Sequence, residues 1–121
     1  MPGYDSERFA PPAPVARARI STVSQAVSGV PMLLDTGADV SVVPRAIAAQ
    51  LGAELHRSGI QLEMFDGTQT EAETANLAVE VGAYRFRGIF VVADADYGIL
   101  GRNILNLLVL ALDGPHLVWS A

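Results

Sequence analysis

The chain has no cysteine. That removes disulfides, thiolate metal ligands and thiol nucleophiles from consideration. Histidine is nearly absent too. His56 and His116 are the only two, and they are not at ligand spacing, so no zinc or other metal cofactor is expected. Basic residues number eight against thirteen acids. The net charge of −5 argues against nucleic-acid binding, which needs a basic face. Residues 1–9 are polar and offer no hydrophobic core for a signal peptide. The longest apolar stretch, Ile104 to Leu112, is interrupted by Asn106 and falls short of the ~20 residues of a membrane span. A cytoplasmic location with no membrane partner is expected.

What is present suits one domain. The chain has 121 residues, half of them hydrophobic. A domain of this size buries roughly two-thirds of its unfolded surface. The high apolar share leaves room for a partner subunit to cover part of the exterior. No internal repeat and no second domain are visible.

Read in order, residues 1–14 hold Pro2, Pro11, Pro12 and Pro14 and read as a flexible or extended lead without helix. The domain proper is expected over 15–121. Residues 15–27, rich in Val, Ile, Thr and Ser, predict a strand, with Arg17 and Arg19 on a solvated strand edge. Ser28-Gly29 predicts a hairpin turn, and Val30 to Leu34 returns as a buried strand. A short run at Val40–Val43 precedes Pro44, which suits the first turn of a helix ending at Gly52. Ser58-Gly59 reads as a turn. Ile60 to Phe65 alternates apolar and polar residues, Asp66-Gly67 signals a hairpin, and Gln69 to Val81 is a long strand whose first half has little to bury. Gly82-Ala83 turns the chain into a strand over Tyr84 to Ala93, whose end, Ile89 to Val92, is expected to be buried. Asp94-Ala95-Asp96 is a loop. Tyr97 to Leu100 is a short strand, and Gly101 opens a helix to about Leu107. Val109 to Leu112, Asp113-Gly114-Pro115 and His116 to Trp119 form a last hairpin. Many short strands with one or two short helices predict a mainly β, closed, mainly antiparallel β-barrel-like domain.

One stretch carries chemistry. Leu33-Leu34-Asp35-Thr36-Gly37-Ala38-Asp39 runs an apolar strand into a carboxylate, a hydroxyl residue and a glycine. Gly37 permits a tight turn. Asp35 is therefore placed at the rim of the core, where a carboxylate is costly unless hydrogen-bonded or paired. An ordinary loop aspartate making turn hydrogen bonds is the plainer alternative.

This stretch and Gly98-Ile99-Leu100-Gly101-Arg102-Asn103-Ile104-Leu105 together resemble the two signature blocks of retropepsin-like aspartic proteases. The similarity runs from about Ile20 to Trp119, and several details are nearer bacterial or cellular members than viral ones. The resemblance implies an aspartic endopeptidase whose dyad is Asp35 from each of two chains. It implies that Thr36 and Gly37 support the loop, and that Ala38 and Asp39 line the substrate channel. Phe65, Asp66 and Gly67 would lie at the tip of a flap over substrate, and Ile99 in a pocket wall with Leu34, Val42, Ile89, Val91 and Leu100. Gly101, Arg102 and Asn103 would be structural supports, with Asp39 as the partner of Arg102. The partners implied are a second copy of the chain and a peptide or protein substrate.

The chain departs from the retroviral pattern in having one glycine near the flap tip, an acid at Asp66 and a long proline-rich lead. It also begins with Met and ends at Ala121 as though translated alone. Two other readings stand beside the protease. One is a catalytically silent dimer of the same fold that binds extended peptides by strand pairing or joins other proteins. The other is a domain that needs a different partner for activity.

Overall fold

The computed structural model describes residues 2–63 and 67–121. Its strands are β1 (Tyr4–Asp5), β2 (Ala13–Ser21), β3 (Ala26–Leu34), β4 (Val42–Pro44), β5 (His56–Glu63), β6 (Gln69–Val81), β7 (Tyr84–Ala93), β8 (Gly98–Leu100), β9 (Ala111–Asp113) and β10 (Val118–Ser120). The helices are α1 (Arg45–Gln50) and α2 (Arg102–Leu105). The main sheet runs β1-β2-β3-β8-β4-β7-β6-β5, and an added β2–β6 pairing closes a ring of strands. The fold is thus mainly β and barrel-like. Most pairs are antiparallel, but β3–β8 and β4–β7 are parallel. β9 and β10 form a separate two-stranded sheet. Among the described residues no helix is long and apolar enough to cross a membrane.

Alternation along the strands builds the core. Ala16, Ala18 and Ile20 of β2 point inward while Arg17 and Arg19 stay exposed. They meet Val30, Met32 and Leu34 of β3, Leu77 and Val79 of β6, Phe90 and Val92 of β7 and Leu100 of β8. Trp119 of β10 plugs one end, 3% exposed, and its Nε1–H donates to the Val15 carbonyl at 3.1 Å.

Several expectations need correcting. The first hairpin does not turn at Ser28-Gly29. It turns at residues 22–25, where the Thr22 hydroxyl accepts the Gln25 N–H at 3.2 Å and the Thr22 N–H donates to the Gln25 carbonyl at 2.9 Å. Gly29 sits inside β3 instead, at φ 72°, where the β2–β3 register shifts between Ala18 and Ile20. A left-handed residue at a bulge is a glycine position. Ser58-Gly59 likewise lies within β5, where the β5–β6 register shifts between Arg57 and Gln61. Arg19 is not on an edge, because β2 there has β3 on one side and β6 on the other, whereas Arg17 pairs with Pro31 of β3 and lies between the stretches of β2 that β1 and β6 cover. Ile89 is not buried but 68% exposed, since it lies on the outer face of β7.

The lead, expected to be flexible or extended, is extended and without helix among its described residues, and it is anchored. Tyr4 N–H donates to the Leu117 carbonyl at 3.0 Å, Val15 N–H to Gly3 at 3.2 Å and Trp119 N–H to Pro2 at 3.0 Å. Asp5, 7% exposed, accepts the Glu7 and Arg8 N–H groups and the Arg8 guanidinium, all within 3.0 Å. Phe9 meets Tyr97 edge-to-face at 5.0 Å between ring centroids.

Candidate active site

The parallel pairing of β3 with β8 builds the site. Leu34 lies beside Leu100, so the chain leaves both strands side by side. Asp35 follows β3 and is half-buried. Its N–H donates to the Leu100 carbonyl at 3.0 Å, which extends the pairing one residue past the strand. Its Oδ1 accepts the Gly37 N–H at 2.8 Å, and Ala38 N–H returns to the Asp35 carbonyl at 3.2 Å. The loop is therefore a tight turn closed on its own carboxylate. Asp35 Oδ2 has no hydrogen-bond partner among the described residues.

The Gly101-Arg102-Asn103 block braces this loop from the second strand. Arg102 N–H donates to the Ala38 carbonyl at 2.8 Å, and Arg102 Nη1 to the Thr36 carbonyl at 2.7 Å. Gly101 packs so closely that a Cβ there would overlap the Val40 carbonyl oxygen and stand 2.6 Å from its carbon and 3.0 Å from the Ala38 oxygen. Gly101 N–H donates to the Ser41 hydroxyl at 3.0 Å, and that hydroxyl donates to Asn103 Oδ1 at 2.8 Å.

Arg102 does not pair with Asp39 as expected. Both side chains are exposed, and the guanidinium reaches back from the start of α2 to a loop carbonyl instead. Thr36 and Gly37 are exposed, and Ala38, Val42 and Ile99 are half-buried. Leu34, Val91 and Leu100 are buried, and belong to the core wall behind the loop. Ile89 is exposed on the outer face of β7. Gly67 is exposed beyond the β5–β6 hairpin, whose last described pair is Glu63 with Gln69. Phe65 and Asp66 lie outside the described residues. Of β6's first half, Gln69 to Glu71 are exposed, but Ala72 and Thr74 are buried.

Two residues escaped the sequence reading. Ser41 is 2% exposed and joins the Asp35 side of the loop to the Gly101 block. Its signal was a lone hydroxyl inside the apolar run Val40–Val43, since a buried polar group needs partners. Arg45, at the start of α1, pairs with Glu73 of β6 at 2.6 Å and with Asp94 at 2.9 Å. Those carboxylates, Glu73 first, raise the pKa of the guanidinium and tie helix, hairpin strand and loop together. No spacing in the sequence brings those three residues together. Among the described residues no group of three or more His, Asp or Glu side chains is gathered to hold a metal.

A ring of short strands that presents an Asp-Thr-Gly turn against a Gly-Arg-Asn helix start defines a retropepsin-like aspartyl protease domain. Residues 21–107 match the family described as "gag-polyprotein putative aspartyl protease", and the chain belongs to that family. Among solved structures it is similar to EIAV protease complexed with the inhibitor HBY-793. That likeness has a TM-score of 0.67 and 25% identity, and covers 84% of this chain and 92% of the other. No curated protein matches the chain.

Proposed function

We propose that the protein is an aspartic endopeptidase, active as a homodimer whose dyad is Asp35 from each chain. The observation that carries this reading is the Asp35 turn itself. A carboxylate is held on a rigid, cross-braced loop with one oxygen uncommitted. A loop aspartate with a purely structural task needs no such bracing.

One chain supplies half of the chemistry. Two carboxylates about 3 Å apart share a single proton. The charged member takes a proton from water as the oxygen adds to the peptide carbonyl carbon. The protonated member gives its proton to the carbonyl oxygen, and the leaving amine then collects a proton as the C–N bond breaks. A two-fold axis provides the second Asp35 without a second Asp-Thr-Gly in the sequence. Exposed apolar residues at the C-terminal hairpin support a second copy there. Val109, Leu112 and Leu117 are 90%, 55% and 44% exposed, an unusual cluster for a free surface.

In this reading Thr36 braces the two loops across the axis and Gly37 lets substrate approach. Ala38, Asp39 and Ile99 line the channel, and the 63–69 hairpin with Phe65, Asp66 and Gly67 covers it. Gly101, Arg102 and Asn103 hold the loop in shape.

Cleavage of a diverse peptide mixture from acid to neutral pH tests the proposal, with wild type beside Asp35→Asn. Cleavage by wild type alone is expected. In mixtures, the activity per wild-type chain should fall in proportion to the wild-type fraction, as a shared dyad requires. Equal cleavage by Asp35→Asn overturns the catalytic role, and no cleavage by a protein shown to be dimeric favours the silent peptide-binding dimer.

A further inference from the structure

The arginines are distributed unevenly. All eight basic residues are arginine. Arg17, Arg19, Arg85 and Arg87 lie on the outer face of β2 and β7, with Glu80 of β6 as the acid among them. Four of eight arginines and one of thirteen acids leave this face at +3 and the rest of the chain at −8. The register orders the face in rows. Arg19, Glu80 and Arg85 are neighbours across three strands, and Ser21, Ala78 and Arg87 form the next row. Glu80 is shared by Arg19 and Arg85, at 3.4 Å from each. Arg87 has no ion-pair partner among the described residues.

β7 also has an unpaired edge. β6 pairs with it from Tyr84 to Val92, but β4 covers only Val91 to Ala93 on the other side. Beside the uncovered part runs a trough of about 350 Å³, lined by residues 85–90 and by Asn103, Ile104 and Leu107. Ile89 and Leu107 there are 68% and 69% exposed. Along β7, Arg85, Arg87 and Ile89 are two residues apart and share the outer face, a spacing of roughly 6.8 Å.

We infer that this edge of β7 takes an extended protein segment with two acidic side chains and one apolar side chain at alternate positions. Main-chain pairing with β7 would supply affinity, and the side chains of Arg85, Arg87 and Ile89 the selectivity. Arginine forks suit carboxylates. A second copy of the same edge is excluded as occupant, because arginine would meet arginine across the pair. A nucleic acid fits less well. Ile89 breaks the cationic row, and a long polyanion would overhang onto a surface carrying −8. The inference does not depend on the protease reading: its selecting residues, Arg85, Arg87 and Ile89, have no part in the brace of the Asp35 loop, to which only Asn103 of the trough lining belongs.

The test uses Asp35→Asn protein, so that peptides stay intact whatever Asp35 does. A fluorescently labelled peptide with two aspartates two residues apart and a leucine two further on is titrated by anisotropy, beside its diasparagine counterpart. The acidic peptide should bind about tenfold tighter, the advantage expected of two partly exposed charge pairs. Arg87→Glu should abolish that preference, with its fold checked by circular dichroism and Arg87→Gln as the milder variant. N-methylation of alternate backbone nitrogens should weaken binding, and hydrogen exchange should slow at residues 85–89 when peptide is bound. Cleavage of a short neutral peptide by otherwise wild-type protein should be unaffected by Arg87→Glu. Equal binding of the two peptides, no binding, or an unchanged preference in Arg87→Glu would overturn the inference. So would tighter, Arg87-dependent binding of a single-stranded oligonucleotide of the same charge.

Discussion

Replacing Gly101 by alanine isolates what holds the Asp35 loop. The added methyl would overlap the Val40 carbonyl oxygen and press on the Ala38 oxygen at 3.0 Å. Both obstacles are backbone atoms of the loop that follows Asp35, so no rotamer change relieves them. Overpacking of this kind costs ~1–3 kcal/mol. Moving the 38–40 segment also strains two neutral hydrogen bonds, Arg102 N–H to Ala38 and Gly101 N–H to Ser41. Such bonds contribute ~1 kcal/mol each, and straining rather than breaking them forfeits roughly half, ~1 kcal/mol for the pair. A loss of about 2–4 kcal/mol is expected in total. For a domain of this length that lowers Tm by roughly 8–16 °C. Thermal unfolding by circular dichroism reads the shift. Gly114→Ala is the control, since a Cβ there meets nothing within 4 Å, and its Tm should barely move. Peptide cleavage should drop far more in Gly101→Ala than in the control, even well below Tm. A Gly101→Ala protein with native Tm and native activity would refute the claim that this contact sets the loop.

Three further outcomes are expected. Trp119→Phe removes the indole donor to the Val15 carbonyl and leaves that oxygen buried without it, which costs ~1–3 kcal/mol in urea unfolding; an unchanged midpoint would show that the plug is purely apolar. Asp5→Asn tests the anchored lead. The Arg8 N–H, then the Arg8 guanidinium and the Glu7 N–H, hold the Asp5 carboxyl below its ordinary value against the opposing effect of burial. The folded state therefore binds that proton less readily than the unfolded state, so the contribution is complete above the unfolded value near 3.9 and fades as pH falls through the lowered one. Wild type should exceed Asp5→Asn in stability by a constant margin above about pH 5, with the gap closing in acid; a gap that widens in acid would contradict the sign. Leu112→Glu places a charge on the exposed C-terminal hairpin, and sedimentation should show a monomer that is folded by circular dichroism and inactive. A dimer that persists in Leu112→Glu would move the interface elsewhere.

The parts legible in the sequence were those set by local chemistry. Leu33 and Leu34 leading into Asp35 and Gly37 announced a buried strand ending in a tight turn, and the turn closes as that order implies. Gly82-Ala83 placed the start of β7 at Tyr84, because a two-residue hairpin fixes register locally. What failed depended on distant strands. Gly29 looked like a turn because left-handed glycine serves turns and bulges equally, and only the partner strand β2 decides between them. Proline-rich residues 1–14 looked flexible because their anchors, Leu117 and Trp119, lie more than a hundred positions away.

The Arg102 expectation failed for a related reason. The family resemblance implied Asp39, yet the parallel β3–β8 pairing puts the start of α2 against the carbonyls of the loop, and the guanidinium donates to the Thr36 carbonyl instead. That same pairing fits the proposed dimer. It brings one Asp-Thr-Gly turn beside one Gly-Arg-Asn block, a complete brace for a single carboxylate. Among the described residues no second acid hydrogen-bonds Asp35. In the proposed reading, the brace supports one half of a dyad, and a two-fold partner would supply the other.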